Sequence, residues 1–176
     1  KKAPKPKAPV ELKDYGFVAV CMGKGITNIL KDLGVDRVIE GGQTMNPSTD
    51  DILKAVKRVK AKTVYVFPNN KNIIMAANQA AELVEDKKIV VIPSKSVPQC
   101  ISAMVEFNDK KSAEANEKAM NKAIGRVTSG QLTYAVRDTE IDGIEIKKDD
   151  ILGMVEGKIV TVGKDIDDVL NRVVSH

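Results

Sequence analysis

The chain has 176 residues, enough for one full domain or a domain with a small appendage. A hydrophobic share of 43% supports a buried core, whereas 3% aromatics and no Trp argue against a stacking surface for single-stranded nucleic acid. The net charge of +4 arises in residues 1–9, which hold four lysines and no acid; from position 10 on, 24 basic residues balance 24 acidic ones, so a nucleic-acid groove has no compositional support.

Cys21 and Cys100 form no C-x-x-C pair, which suits a reducing, cytoplasmic compartment, and both read most simply as small buried hydrophobes. The single histidine is His176, the last residue, so no Ser-His-Asp or Cys-His relay can be assembled inside the chain. No apolar run approaches the length of a membrane span, and no signal peptide is visible.

Residues 1–14 read as a Lys/Pro linker, because Pro4, Pro6 and Pro9 alternate with Lys and Ala and favour an extended, solvated chain. With no initiator Met, the expectation is a piece of a longer protein, tethered here to a preceding domain. Residues 15–126 read as a parallel α/β lobe. The apolar runs at 15–21, 37–39, 63–67 and 88–92 are strands, continuous enough to be covered on both faces. Between them, helical periodicity predicts helices at 26–33, 51–59 and 72–84, with further helices ending near 107 and 124. Alternation of strand and helix at this spacing gives a Rossmann-like parallel sheet with right-handed crossovers. Pro47, Pro68, Pro93 and Pro98 all fall in strand-exit loops.

The character changes at 127. Leu132, Tyr134 and Val136 alternate with Thr133, Ala135 and Arg137, the pattern of a strand with one wet face. Asp142-Gly143 and Glu156-Gly157 are hairpin turn signals. Residues 127–176 therefore read as a small antiparallel β meander followed by a C-terminal helix with Ile166, Val169, Leu170 and Val173 on one stripe. That stripe needs a partner, so the expectation is a truncated second lobe that continues past residue 176.

The candidate site is the set of strand-exit loops, which a parallel sheet delivers to one edge. The loop at 40–49 offers Gly41 and Gly42 for close backbone approach, and Gln43, Thr44 and Asn46 for uncharged hydrogen bonding. Ser48 and Asp51 form a capping-box pattern at its end. The following exits add Asn69, Asn70 and Lys71, then Ser94 and Lys95. Helix N-termini at the same edge favour an anionic group. Gly23-Lys24-Gly25 resembles part of a dinucleotide fingerprint, but Asn28 stands where the third glycine belongs. The pairs Asp50-Asp51, Asp149-Asp150 and Asp167-Asp168 read as helix-start and turn residues rather than as a metal site.

Three words, E-G-G-Q-T-M-N-P-S-T-D-D-I-L at 40–53, P-N-N-K-N-I-I-M-A-A at 68–77 and V-I-P-S-K-S-V-P-Q at 91–99, together resemble one bacterial family. It is the C-terminal region of the ATP-binding subunit of fatty acid kinase, related to the dihydroxyacetone kinases. The resemblance covers nearly all of the chain after the linker. It implies a DegV-like fold and a parent enzyme whose N-terminal domain holds ATP and magnesium. That enzyme phosphorylates a fatty acid presented by a separate fatty-acid-binding subunit, giving an acyl phosphate for phospholipid synthesis. The substrate histidine of dihydroxyacetone-kinase-type subunits has no counterpart here, so the resemblance implies a part without catalytic residues, cofactor or metal of its own. The expectation is a domain that docks the fatty-acid-binding subunit through the strand-exit loops. The alternatives are direct binding of an acyl carboxylate or phosphate at the same edge, and homodimerisation of the kinase.

Overall fold

The structure, a computed structural model, describes residues 11–42 and 45–176. Two of the candidate residues, Gln43 and Thr44, and most of the expected linker lie outside the described residues. The chain divides between Val127 and Thr128 into two compact units.

The first unit alternates strand and helix: β1 (Lys13–Cys21), α1 (Lys24–Asp32), β2 (Arg37–Glu40), α2 (Thr49–Arg58), β3 (Ala61–Phe67), α3 (Ile74–Glu82), β4 (Lys88–Val91), α4 (Val97–Glu106) and α5 (Ala113–Ile124). The strands form one parallel sheet in the order β2-β1-β3-β4. Side chains alternate across it. Phe17, Ala19, Cys21, Tyr65 and Phe67 enter one core with Leu30 of α1, Cys100 and Met104 of α4, and Met120 of α5. Val18, Val20, Val64 and Val66 enter the other with Ile52 and Val56 of α2 and Ala77 and Ala80 of α3. Burial on both faces explains why these strands read as unbroken apolar runs.

Two boundaries correct the sequence reading. β1 begins at Lys13, inside the expected linker, because polar partners extend it beyond its apolar run. The Lys13 amide donates to the Lys60 carbonyl at 3.1 Å, the Lys13 ammonium meets Asp36 at 3.0 Å, and Lys62 meets Asp14 at 2.7 Å. α3 is shorter than the expected 72–84. At its start the Asn70 side-chain oxygen accepts from the Asn72 amide at 2.9 Å, which folds that stretch into a turn. At its end Leu83 and Val84 donate three residues back, to Ala80 and Ala81, and the helix tightens and stops.

The second unit holds β5 (Gly130–Tyr134), β6 (Thr139–Ile141), β7 (Ile144–Ile146), β8 (Ile151–Val155), β9 (Lys158–Gly163) and α6 (Ile166–Val174). The sheet is antiparallel and small, in the order β5-β8-β9, with β6 and β7 forming a separate hairpin. Both turn signals are two-residue turns with positive φ throughout: Asp142 at 52° and Gly143 at 78°, Glu156 at 48° and Gly157 at 80°. The expected burial of Tyr134 and Val136 is overturned: both are exposed and Ala135 is buried. β5 ends at Tyr134, and Ala135 then exchanges backbone hydrogen bonds with Asp150 and Asp149, at 2.9 and 2.8 Å. That pairing draws Ala135 inward and breaks the alternation. α6 starts on the side-chain cap of Asp165 and packs Val169 and Val173 against Ile151, Leu132 and Val160.

Candidate functional site

The strand order turns at β1. The chain leaves β1 to one side to make β2, then crosses back to place β3 on the other side. The carboxyl ends of β1 and β3 are therefore a switch point, where open α/β sheets leave a crevice for ligands. Here side chains bridge the strand ends that frame that crevice. Asn69, just past β3, donates from Nδ2 to the Val20 carbonyl of β1 at 2.9 Å. Its Oδ1 accepts from Ser94 Oγ at 2.7 Å, and Ser94 Oγ accepts from the Asn69 amide at 3.2 Å. Ser94 is fully buried. Asn69 sits in the left-handed region, φ 56°, which asparagine tolerates better than most residues with a side chain.

The next residue ties in the third loop. Asn70 Nδ2 donates to the Gly42 carbonyl, and Asn70 Oδ1 accepts from the Asn72 amide. The E-G-G turn itself needs its glycines. Gly41 has φ 155°, and a Cβ there would lie 2.6 Å from the Met45 carbonyl oxygen; Gly42 has φ 118°. The Gly42 amide in turn donates to that Met45 carbonyl at 3.0 Å. Three strand exits thus form one hydrogen-bonded rim in which Gly42, Asn69, Asn70 and Ser94 bond one another or the β1 backbone.

The rim continues into helix starts. Ser48 and Asp51 make a reciprocal capping box, and the Ser48 hydroxyl, then its amide, hold the Asp51 carboxyl below the usual carboxylate range. Thr49 at the start of α2 donates to Gln79 Oε1 of α3 at 3.1 Å. Gln99 of α4 accepts from the Lys95 amide at 2.7 Å and donates to the Ile124 carbonyl at 3.3 Å. Burial pushes the Cys100 thiol beneath it up to about 12, which keeps that cysteine neutral and unreactive.

Among the sequence-predicted residues, Asn46, Lys71 and Lys95 are exposed, whereas Gly41 and Ser94 are buried and Gly42, Asn69 and Asn70 half-buried. The sequence reading missed the apolar part of the rim. Met22, Met45 and Met75 are 43%, 74% and 72% exposed. The signal was present: Met45 stands in a polar glycine loop, and Met75 lies off the stripe of Ile73, Ala77 and Ala80. Among the described residues no three His, Cys, Asp or Glu side chains converge as a metal site would require. Two open clefts flank the edge strand β2. One, about 550 Å³, is lined by residues including Arg37, Glu40, Met45, Lys54 and Arg58; the other, about 460 Å³, by residues including Lys24, Asn28, Lys31 and Glu40. No helix among the described residues is long and apolar enough to cross a membrane.

Comparison with known proteins assigns the family. The chain is 55% identical over 154 residues to Protein YloV of Bacillus subtilis (strain 168), an alignment covering 88% of this chain and 28% of that protein. It is 46% identical over 174 residues to an uncharacterised protein of Staphylococcus aureus (strain USA300), covering 97% of this chain and 32% of that one. The chain thus spans about a third or less of the length of the curated relatives it matches. A solved structure, the phosphotransferase system component EIIA from Streptococcus agalactiae, overlaps 63% of this chain and 92% of that one at a TM-score of 0.45 and 16% identity. Residues 16–176 match the FakA-like C-terminal family, the C-terminal part of the A-like subunits of fatty acid kinase, and with nearly the whole chain inside that match, the chain belongs to this family.

Proposed function

We propose that this domain docks the fatty-acid-binding subunit of a fatty acid kinase and holds it where the ATP-binding part of the parent chain can phosphorylate the acyl carboxylate. The observation that carries this reading is the laced rim. Asn69 bridges β1 and β3 across the switch point, so a side chain of the protein itself takes up hydrogen-bonding capacity where a sheet of this order usually takes a small ligand. What the rim presents outward is a fixed surface. Fixing two proteins relative to each other is a large part of phosphoryl transfer, and it needs rigidity rather than chemistry in the docking part. On this reading ATP and magnesium belong to another domain of the parent chain, and the product is an acyl phosphate.

Direct binding of an acyl chain is the weaker reading. The two clefts beside β2 are open to solvent and carry charged side chains of both signs, whereas small-ligand sites bury most of the ligand's surface. Titration of this chain with the purified, lipid-loaded subunit tests the proposal by calorimetry. Saturable binding at one-to-one stoichiometry is expected. Absence of heat and of complex at 100 μM of each protein (about the weak end of specific encounters) would remove the docking reading. Lipid found on the purified chain by native mass spectrometry would favour the alternative.

A further inference from the structure

We infer that the contact surface is the mixed methionine and lysine face of this rim, and that it fits a protein partner whose matching face is both apolar and acidic. The inference rests on the docking reading and deepens it. Three exposed methionines collect at the carboxyl edge. Met22 follows the last residue of β1, which pairs with the last residue of β2. Met45 lies in the β2 exit loop, whose Gly42 carbonyl is held by Asn70 at the β3 exit. Met75 lies one turn above Gln79 on the same face of α3, and Gln79 meets Thr49 at the first residue of α2, so Met75 stands over the junction that the Met45 loop enters. Neighbouring strands are only about 4.8 Å apart, so the ends of β2, β1 and β3 lie within about 10 Å of one another.

Exposed apolar side chains scattered singly need no explanation, but flexible thioethers gathered on a rigid rim suit a binding surface. The charge on the same edge leans positive. Lys24, Lys71 and Lys95 are exposed, and none of the ion pairs among the described residues uses them. The exposed acids here are Glu40, at the end of β2, Asp51, which closes the capping box on Ser48, and Asp50, which is paired with Lys54 at 2.5 Å. The free lysines leave the edge positive, so the complementary occupant carries carboxylates beside its apolar contacts. A protein fits better than an anionic membrane. Three lysines attract such a surface weakly, and the three methionines come without the Trp or Phe that anchors proteins at a bilayer.

The test titrates this chain with the purified fatty-acid-binding subunit. Met45→Ser combined with Met75→Ser removes exposed thioethers without touching either core, and weakens binding about tenfold or more, chiefly by faster dissociation. Lys71→Glu combined with Lys95→Glu slows association at low salt, and the difference from the unmodified chain closes as salt rises. Both double variants binding within about twofold of the unmodified chain would overturn the inference while leaving docking intact. No binding by the unmodified chain removes the docking reading and this inference with it. Binding to phosphatidylglycerol vesicles, lost in the methionine variant, together with no binding to the subunit would assign the face to a membrane and overturn the protein partner.

Discussion

Asn69 carries more of the rim than any other side chain. It occupies a left-handed backbone position, bridges two strands and meets buried Ser94. Asn69→Ala loses both side-chain bonds, keeps only the backbone amide's bond to Ser94 Oγ, and gives up asparagine's better tolerance of positive φ. Leaving the Ser94 hydroxyl and Val20 carbonyl with fewer partners costs about 1–3 kcal/mol, and the backbone position about 1 more. Urea unfolding should show a loss of about 2–4 kcal/mol, and Asn69→Gly should recover only the backbone share. Sequence alone could not tell this asparagine from a surface contact residue, because an amide shows its role only through a partner, and Val20 and Ser94 are brought to it by the sheet. Cys100 supports a second prediction. Its ordinary value is 9.0, and burial pushes it up to about 12 in the folded chain. Below pH 9 the thiol is protonated in both states and costs nothing. Above pH 9 the unfolded chain ionises while the folded one does not, so stability falls through the window from about 9 to 12. The slope from this one group is about 1.4 kcal/mol per pH unit. Burial raises the Tyr65 phenol as well, adding to the decline above pH 10. Denaturation curves between pH 8 and 11 should show that fall, and Cys100→Ala should flatten its first part. An unchanged slope in the variant would place the titration elsewhere.

At the scale of elements, legibility followed burial. The parallel strands could be read because both their faces are covered, so apolar residues run on without a break. The capping box at Ser48 and the two-residue turns at Asp142-Gly143 and Glu156-Gly157 were readable because local backbone geometry demands those residues. The second unit was harder. Alternation placed Tyr134 and Val136 inside, but the strand ends at Tyr134 and the Asp149–Asp150 backbone reverses the faces. The glycines there record a close approach that the sequence did not announce. A Cβ at Gly153 would lie 2.4 Å from Val173 and 2.5 Å from Thr161, and one at Gly130 would lie 2.8 Å from Val173. α6 therefore lies on the sheet as closely as it does because β5 and β8 present no side chain beneath Val173. Gly153→Ala forces the helix outward or the sheet apart. Overpacking of this kind costs about 1–3 kcal/mol. Hydrogen exchange should speed up in α6, β8 and β9 of the variant and stay unchanged in β1 and β3. Uniform acceleration across the chain would contradict a local effect.

For the whole molecule, the docking proposal raises the question of how a part whose strand exits bond one another would serve a phosphoryl transfer carried out elsewhere in the parent chain. A docking domain acts by raising the local concentration of its partner near the reacting group, so its contribution depends on attachment to the rest of the enzyme. The same chain supplied separately should then do the opposite. Added in trans to the parent kinase, it sequesters the lipid-loaded subunit in complexes that have no ATP site, and acyl phosphate formation falls. The inhibition should be saturable and should be relieved by more subunit, but not by more ATP. It should also weaken with rising salt if, as the proposed contact face requires, the exposed lysines at positions 24, 71 and 95 contribute to association. Phosphate transfer measured against increasing amounts of this chain, at two concentrations of subunit, separates the cases. Curves that shift in proportion to the subunit support sequestration. Curves that do not shift with the subunit point instead to exchange between the added chain and the kinase itself, as the homodimer alternative requires, and sedimentation of the mixture would then show the added chain travelling with the kinase in the absence of any subunit.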